Sequence, residues 1–309
     1  MLSLILAAAL LTDPVATPVV LPSEPAPLHG TLLTPDGDTR AAALIVPGSG
    51  PTDRDGDNPL GVSAASYRLL AEGLASHGVA TLRFDKRGLG QSAAAMVAEE
   101  TLTFDTYIED VRAWAGEAAR LTGRPCVWLI GHSEGAQIAL GAVSPANEQV
   151  CGLVLLAGTG RPAGVVLREQ LEAGLPESLK APALETLTEL EAGRPVADPP
   201  AALHALFRPS VQPYLISWLN LDPAERIAGW DGPVMIGHGS TDIQVGLTDA
   251  NALAAAQPSA RLVVWEGVNH LLKLAPADRA ANAATYADPS LPLAPGVVDD
   301  IAAFILEPR

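Results

Sequence analysis

A chain of 309 residues, 48% hydrophobic and 17% charged, buries a substantial core, which excludes a disordered protein and leaves room for one large α/β domain with an insertion or for two small domains. Asp and Glu outnumber Lys and Arg 35 to 19, a formal charge of −16 that repels phosphate backbones and argues against a nucleic-acid partner. Two cysteines, Cys126 and Cys151, exclude a disulfide-dense scaffold, and no Cys/His group has structural-zinc spacing.

The chain opens with an apolar run, Leu2 to Leu11, followed by Thr12, Asp13 and Pro14. That length suits the apolar region of a secretory signal better than a membrane span, which needs roughly 20 residues. Residues 1–16 are therefore expected to be a signal peptide that sends the protein to the periplasm or medium. No Lys or Arg precedes the run and the cleavage site near Ala16 is poor, so a cytoplasmic protein with a buried N-terminal segment is the alternative. Thr17 to Leu28 is Pro-rich and reads as a linker or edge strand.

Short apolar runs then alternate with helical stretches, the pattern of βαβ units and a mainly parallel sheet. Ala42–Val46 is a continuous apolar run, as expected of a strand covered on both faces, and stops at Pro47-Gly48-Ser49-Gly50. Ser66–Ser76 reads as a helix and Val79–Phe84 as a strand. The apolar positions 104, 107, 108, 111, 114 and 118 predict a helix over 103–121. Strands are expected at 126–130, 150–156, 233–236 and 261–265, with a small-residue helix over 136–142 and a closing helix at 297–306. Between Gly158 and Pro233 the spacing is helical with prolines at 176, 182, 195, 199 and 200 read as breaks. A structureless loop of that length is improbable, so residues 161–228 are expected to be a helical cap inserted into a core of residues 17–160 and 229–309.

Gly131-x-Ser133-x-Gly135 follows a strand and precedes a helix. A serine on such a sharp turn exposes its hydroxyl, and the glycines relieve crowding on either side. The bland reading is a helix-capping serine. A serine hydroxyl needs a base to attack carbonyl carbon. Of six histidines, His270 follows the last predicted strand, where a base would enter; His238 ends a strand, His132 should point away from Ser133, and His29, His77 and His204 sit in linker, helix end and cap. Asp242, in Gly239-Ser240-Thr241-Asp242, would orient the base, with Asp222 as competitor. The oxyanion would take the amide of Glu134 and one from the 47–51 loop, Ser49 or alternatively Gly48. The carboxylates of 53–57 lack the Glu that closes a calcium loop; a self-bonded turn beside the 47–51 loop is expected instead, with Arg54 paired to a carboxylate. The glycines of 85–92 are misplaced for a dinucleotide loop.

GSGPTDRDGDN (48–58), FDKRGLGQS (84–92), GHSEG (131–135), GSTDIQV (239–245) and GVNHLLK (267–273) together resemble the α/β-hydrolase superfamily over residues 32–306, and most of all its bacterial serine-aminopeptidase-like subgroup, which includes small acyl and carboxyl esterases. The resemblance implies an α/β-hydrolase fold with a mainly parallel central sheet and a helical cap. It implies Ser133 as nucleophile, Asp242 as acid, His270 as base, and the Ser49 and Glu134 amides as oxyanion donors, with no cofactor and no metal. It also makes the strands of Cys126 and Cys151 neighbours, so an exported protein could join them; two buried free thiols are the default expectation. The expected activity is a serine hydrolase, a carboxylesterase acting on a small-molecule ester through an acyl-enzyme. An aminopeptidase or amidase using the same triad is the alternative, and a non-catalytic binding protein the contrast from another class. A cap rich in Leu203, Leu206, Phe207, Leu215, Trp218 and Leu219 suggests short to medium acyl groups. Oligomeric state and natural substrate are not legible.

Overall fold

A computed structural model describes residues 13–144 and 147–308. The apolar core of the expected signal peptide lies outside these residues. The chain begins with strands β1 (Val15–Leu21) and β2 (Leu28–Thr34), then β3 (Ala41–Val46), helix α1 (Ser66–Ser76) and β4 (Val79–Phe84). Helix α2 (Phe104–Thr122), β5 (Val127–His132), α3 (Glu134–Ala142) and β6 (Val150–Leu156) follow. Five helices come next: α4 (Ala163–Gly174), α5 (Glu177–Glu191), α6 (His204–Phe207), α7 (Gln212–Leu219) and α8 (Pro223–Ala228). The chain closes with β7 (Val234–Gly239), α9 (Leu247–Ala256), β8 (Arg261–Trp265), α10 (Arg279–Ala284) and α11 (Val297–Leu306).

The eight strands form one sheet in the order β1-β2-β4-β3-β5-β6-β7-β8. β1 and β2 are antiparallel, and every pairing from β4 to β8 is parallel. The Pro-rich segment thus becomes an edge strand and not a linker, and His29 lies on β2. β1 reaches back to Val15 and Ala16, into the stretch assigned to the signal.

Side-chain alternation explains why the central strands are apolar throughout. Ala42, Leu44 and Val46 of β3 enter a core with Trp114, Phe104 and Ile138 of α2 and α3. Ala43 and Ile45 enter the opposite core with Leu70 and Leu74 of α1 and Ile301 and Phe304 of α11. The largest anchor is Trp114, fully buried and stacked on Phe84 with ring centroids 5.6 Å apart. Helix α2 ends at Gly123, whose φ of 65° is the left-handed conformation that closes helices. Pro182 does not break the chain as expected; it sits inside α5, in its second turn, where it forfeits one backbone hydrogen bond. Among the described residues no helix is long and apolar enough to cross a membrane.

The default expectation for the cysteines is overturned. The parallel register of β5 and β6 slips between Val127, opposite Val150, and Trp128, opposite Gly152; Cys151 is the extra residue at that slip, and it lies 5.3 Å in Cα separation from Cys126 just before β5, joined to it as a disulfide. Closing a loop of 25 residues removes unfolded-state entropy worth about 3 kcal/mol.

Candidate active site

Ligands of parallel sheets bind at the carboxyl ends of the strands. Here Val46 is level with Gly131, His132 with Leu156, Leu156 with Gly237, and Gly239 with Trp265. The loops after β3, β5, β7 and β8 therefore leave one edge of the sheet, and they carry Ser49, Ser133, Asp242 and His270.

Ser133 occupies φ 55°, ψ −122°, a conformation costing a non-glycine residue about 1–3 kcal/mol. Its N–H donates to the Leu156 carbonyl at 2.9 Å, and its side chain caps no helix amide, contrary to the bland reading. The flanking glycines are steric requirements. A Cβ on Gly131 would lie 2.4 Å from the Gly135 carbonyl oxygen, and one on Gly135 would lie 2.3 Å from that of Val46.

Asp242 and His270 are brought together. His270 Nδ1 donates to Asp242 Oδ2 at 2.7 Å, and Oδ1 accepts the N–H groups of Gln244 at 2.7 Å and Val245 at 3.0 Å. A carboxylate only accepts, so the His270 proton sits on Nδ1 and leaves Nε2 with a lone pair. Burial pushes the Asp242 carboxyl up, but the His270 ring and the two amides outweigh it and hold it below the usual carboxylate range. Ser133 Oγ has no hydrogen-bond partner among the described residues. Such bonds commonly tighten only when substrate arrives.

The competitors are occupied elsewhere. Asp222 caps α8 by accepting from the Ala224 N–H at 2.8 Å. His238, fully buried, donates from Nε2 to the Val245 carbonyl at 2.9 Å and backs the loop that carries Asp242. His204 contacts the Pro199 carbonyl within the cap, and His77 lies by Asp299 on the surface. In the acidic turn, Asp53 Oδ1 accepts the Asp55 and Asp57 amides, and Arg54 bridges to Asp85 at 2.5 Å.

His132 turns away from the serine, and sequence reasoning gave it no task. Its Nε2 donates to the His270 carbonyl at 2.8 Å, and its Nδ1 accepts from the Tyr67 hydroxyl at 2.8 Å. Burial, helped by the nearby His270 ring, lowers its pKa to about 3, so it stays neutral and keeps both bonds. Tyr67 Oη in turn accepts the Gly48 N–H at 2.9 Å. That amide is taken, which removes Gly48 as an oxyanion donor. The N–H groups of Ser49 and Glu134 have no partner among the described residues.

A cavity of about 620 Å³ is lined by Ser49, Ser133 and Glu134 and by Leu206, Leu215 and Trp218 of the helical segment between β6 and β7. The other three residues singled out in the sequence, Leu203, Phe207 and Leu219, are buried in the apolar core shared with α2 and α3. Helix α7 is anchored to α3 through Tyr214, which donates to Glu134 Oε1 at 2.5 Å, and Trp218, which donates to Gln137 at 2.6 Å.

Residues 60–192 match the family model for serine aminopeptidase, S33. No curated protein matches the chain. Among solved structures, Est1E from Butyrivibrio proteoclasticus is 18% identical, with a TM-score of 0.58 over 87% of this chain and 94% of Est1E. An esterase domain from a Rhodothermus marinus protein is 22% identical, with a TM-score of 0.54 over 86% of this chain and 93% of that one. A lipase-esterase related protein from Clostridium acetobutylicum is 17% identical, with a TM-score of 0.53 over 94% and 99%. The chain has the α/β-hydrolase fold. Fold alone does not choose a substrate.

Proposed function

We propose that this chain is a serine hydrolase that cleaves carboxylic esters through Ser133, His270 and Asp242. The observation that carries the reading is the Asp242–His270 pair, bonded at 2.7 Å on the same sheet edge as a serine held at φ 55°. Ser133 Oγ attacks the acyl carbon while His270 Nε2 takes its proton, and Asp242 stabilises the imidazolium. The carbonyl oxygen becomes an oxyanion that accepts from the Ser49 and Glu134 amides. The C–O bond to the alcohol breaks, and His270 returns the proton to the departing oxygen. Water then attacks the acyl-enzyme with His270 as base, releasing a carboxylic acid and free Ser133.

The cavity's charge favours a neutral ester over a free amine. Both carboxylates lining it are engaged: Glu134 by Lys86 at 3.6 Å and by Tyr214, Glu99 by Arg208 and Ser210. Arg208 holds the Glu99 carboxyl below its ordinary range. An aminopeptidase pocket needs an unpaired carboxylate for the substrate ammonium. The family model matched by residues 60–192 keeps the aminopeptidase as the second reading. A p-nitrophenyl ester series beside aminoacyl p-nitroanilides separates the two. Turnover is expected on acetate to octanoate esters and at least about a hundredfold slower on the anilides. Faster anilide cleavage would reverse the assignment.

We also propose that the protein is exported, because a structural disulfide persists in oxidising compartments and is rare in the cytosol. Protein from the native cell should show no titratable thiol until it is unfolded and reduced, and an N-terminus beyond the apolar run. Met1 retained, with two free thiols, would defeat this.

A further inference from the structure

The 47–51 loop supplies a proposed oxyanion donor, yet it is glycine-rich, and a loose loop aims no amide. What fixes it is the buried side chain of Lys86. Lys86 stands two residues past the end of β4 and is 3% exposed. Its Nζ donates to the Gly48 carbonyl at 2.6 Å and lies 3.6 Å from Glu134 Oε2 and 5.4 Å from the centre of the Tyr107 ring.

The Gly48 carbonyl and the Ser49 N–H belong to one planar trans peptide, so they point in opposite directions. Holding the oxygen against Lys86 aims the Ser49 N–H the other way. The Gly48 N–H, one peptide earlier, is held by Tyr67, so the glycine is gripped on both sides. A Cβ at position 48 would meet Ser133 Cβ at 3.2 Å, so this backbone passes close against the nucleophile. A cationic donor on a peptide oxygen also draws density from the peptide and strengthens its N–H as a donor. The same ammonium faces the carboxylate of Glu134, whose backbone amide is the second donor. One buried cation thus links both halves of the oxyanion site.

We propose that Lys86 is a positioning residue for the ester hydrolysis set out above, and rests on that reading: through the Gly48 carbonyl it orients and polarises the Ser49 N–H toward the developing oxyanion. Burial disfavours the charged ammonium, and Glu134 works against that penalty.

The test compares wild type, Lys86→Met, Lys86→Gln and the double variant Lys86→Met/Glu134→Gln. The readouts are kcat and KM on p-nitrophenyl butyrate and the affinity of an alkyl trifluoromethyl ketone, whose adduct with a serine carries an oxyanion. Lys86→Met should lower kcat about a hundredfold, the usual cost of one oxyanion donor, with KM unchanged. Ketone affinity should fall by the same factor, because the adduct resembles the transition state. Lys86→Gln keeps a neutral donor and should fall between, and it carries the test should Lys86→Met not fold. The double variant should stay as slow as Lys86→Met. Recovery of kcat in the double variant would trace the loss to an orphaned Glu134 charge and overturn the proposal. So would a full-speed Lys86→Met, or a change confined to KM. A wild type inert toward every ester overturns the hydrolase reading itself, and this one with it, whereas an active wild type with a full-speed Lys86→Met overturns this one alone.

Discussion

Ser133→Ala is expected to abolish ester turnover, lowering kcat on the order of 10⁶-fold, while the protein stays folded. The loss is large because the hydroxyl forms the covalent intermediate, and binding or oxyanion donors cannot substitute for it. Stability should barely change. The side chain caps no helix amide, so none of the roughly 1 kcal/mol that a capping serine supplies is at stake. Alanine also keeps the Cβ, and with it the strain of φ 55°. Ser133→Gly should be equally inactive but more stable, because glycine adopts that conformation freely. The gain is the strain of about 1–3 kcal/mol less the roughly 0.5–1 kcal/mol of extra chain entropy that glycine loses on folding. Ester assays, fluorophosphonate labelling and melting curves on the three proteins check this. Labelling that persists in Ser133→Ala, or a glycine variant less stable than wild type, would sink the idea of a strained nucleophile at this position.

What could be read from the sequence was whatever short-range sterics dictate. Gly131 and Gly135 flank Ser133 because a Cβ at either would strike backbone four or five residues away or at the end of the neighbouring strand, so a five-residue pattern carried the information. Helix α1, β4, β8 and α11 fall at the residues that periodicity predicts, since each has a marked apolar face or run. Strand β2 was missed, because Leu28–Thr34 mixes polar and apolar residues and pairs antiparallel at the sheet's margin. The disulfide depended on register: nothing in the spacing of Cys126 and Cys151 says that β5 and β6 align there. The supports of the site were missed for the same reason. Tyr67 reaches His132 across 65 positions, and His132 reaches the His270 carbonyl across 138. Lys86 gave one faint signal, a lysine two residues past an apolar strand that runs into a glycine-rich loop, where burial demands a partner.

Asp242→Asn should lower kcat by about 10⁴-fold with KM little changed. Oδ1 of Asp242 accepts two backbone N–H groups, from Gln244 and Val245, so an asparagine would keep its carbonyl oxygen there and turn its NH₂ to the position of Oδ2. That NH₂ faces His270 Nδ1 at the site of the present 2.7 Å bond. Two donors cannot face each other, so the ring shifts its proton to Nε2 and loses the lone pair that would take the Ser133 proton. The variant also has an acid-side signature. Asp242 is held below the ordinary carboxylate range in the fold, so its ionisation favours the native state at neutral pH. That contribution is fully present above the unfolded value of about 4 and disappears as pH falls through the lower folded value. Asparagine has no such term. Melting temperatures measured from pH 7 down to pH 3 should therefore show wild type above Asp242→Asn at neutrality and the gap closing with acid. A gap that stays constant over that range would mean that the carboxylate is not stabilised by its contacts with His270 and the two amides, and the orientation of the base would need another source.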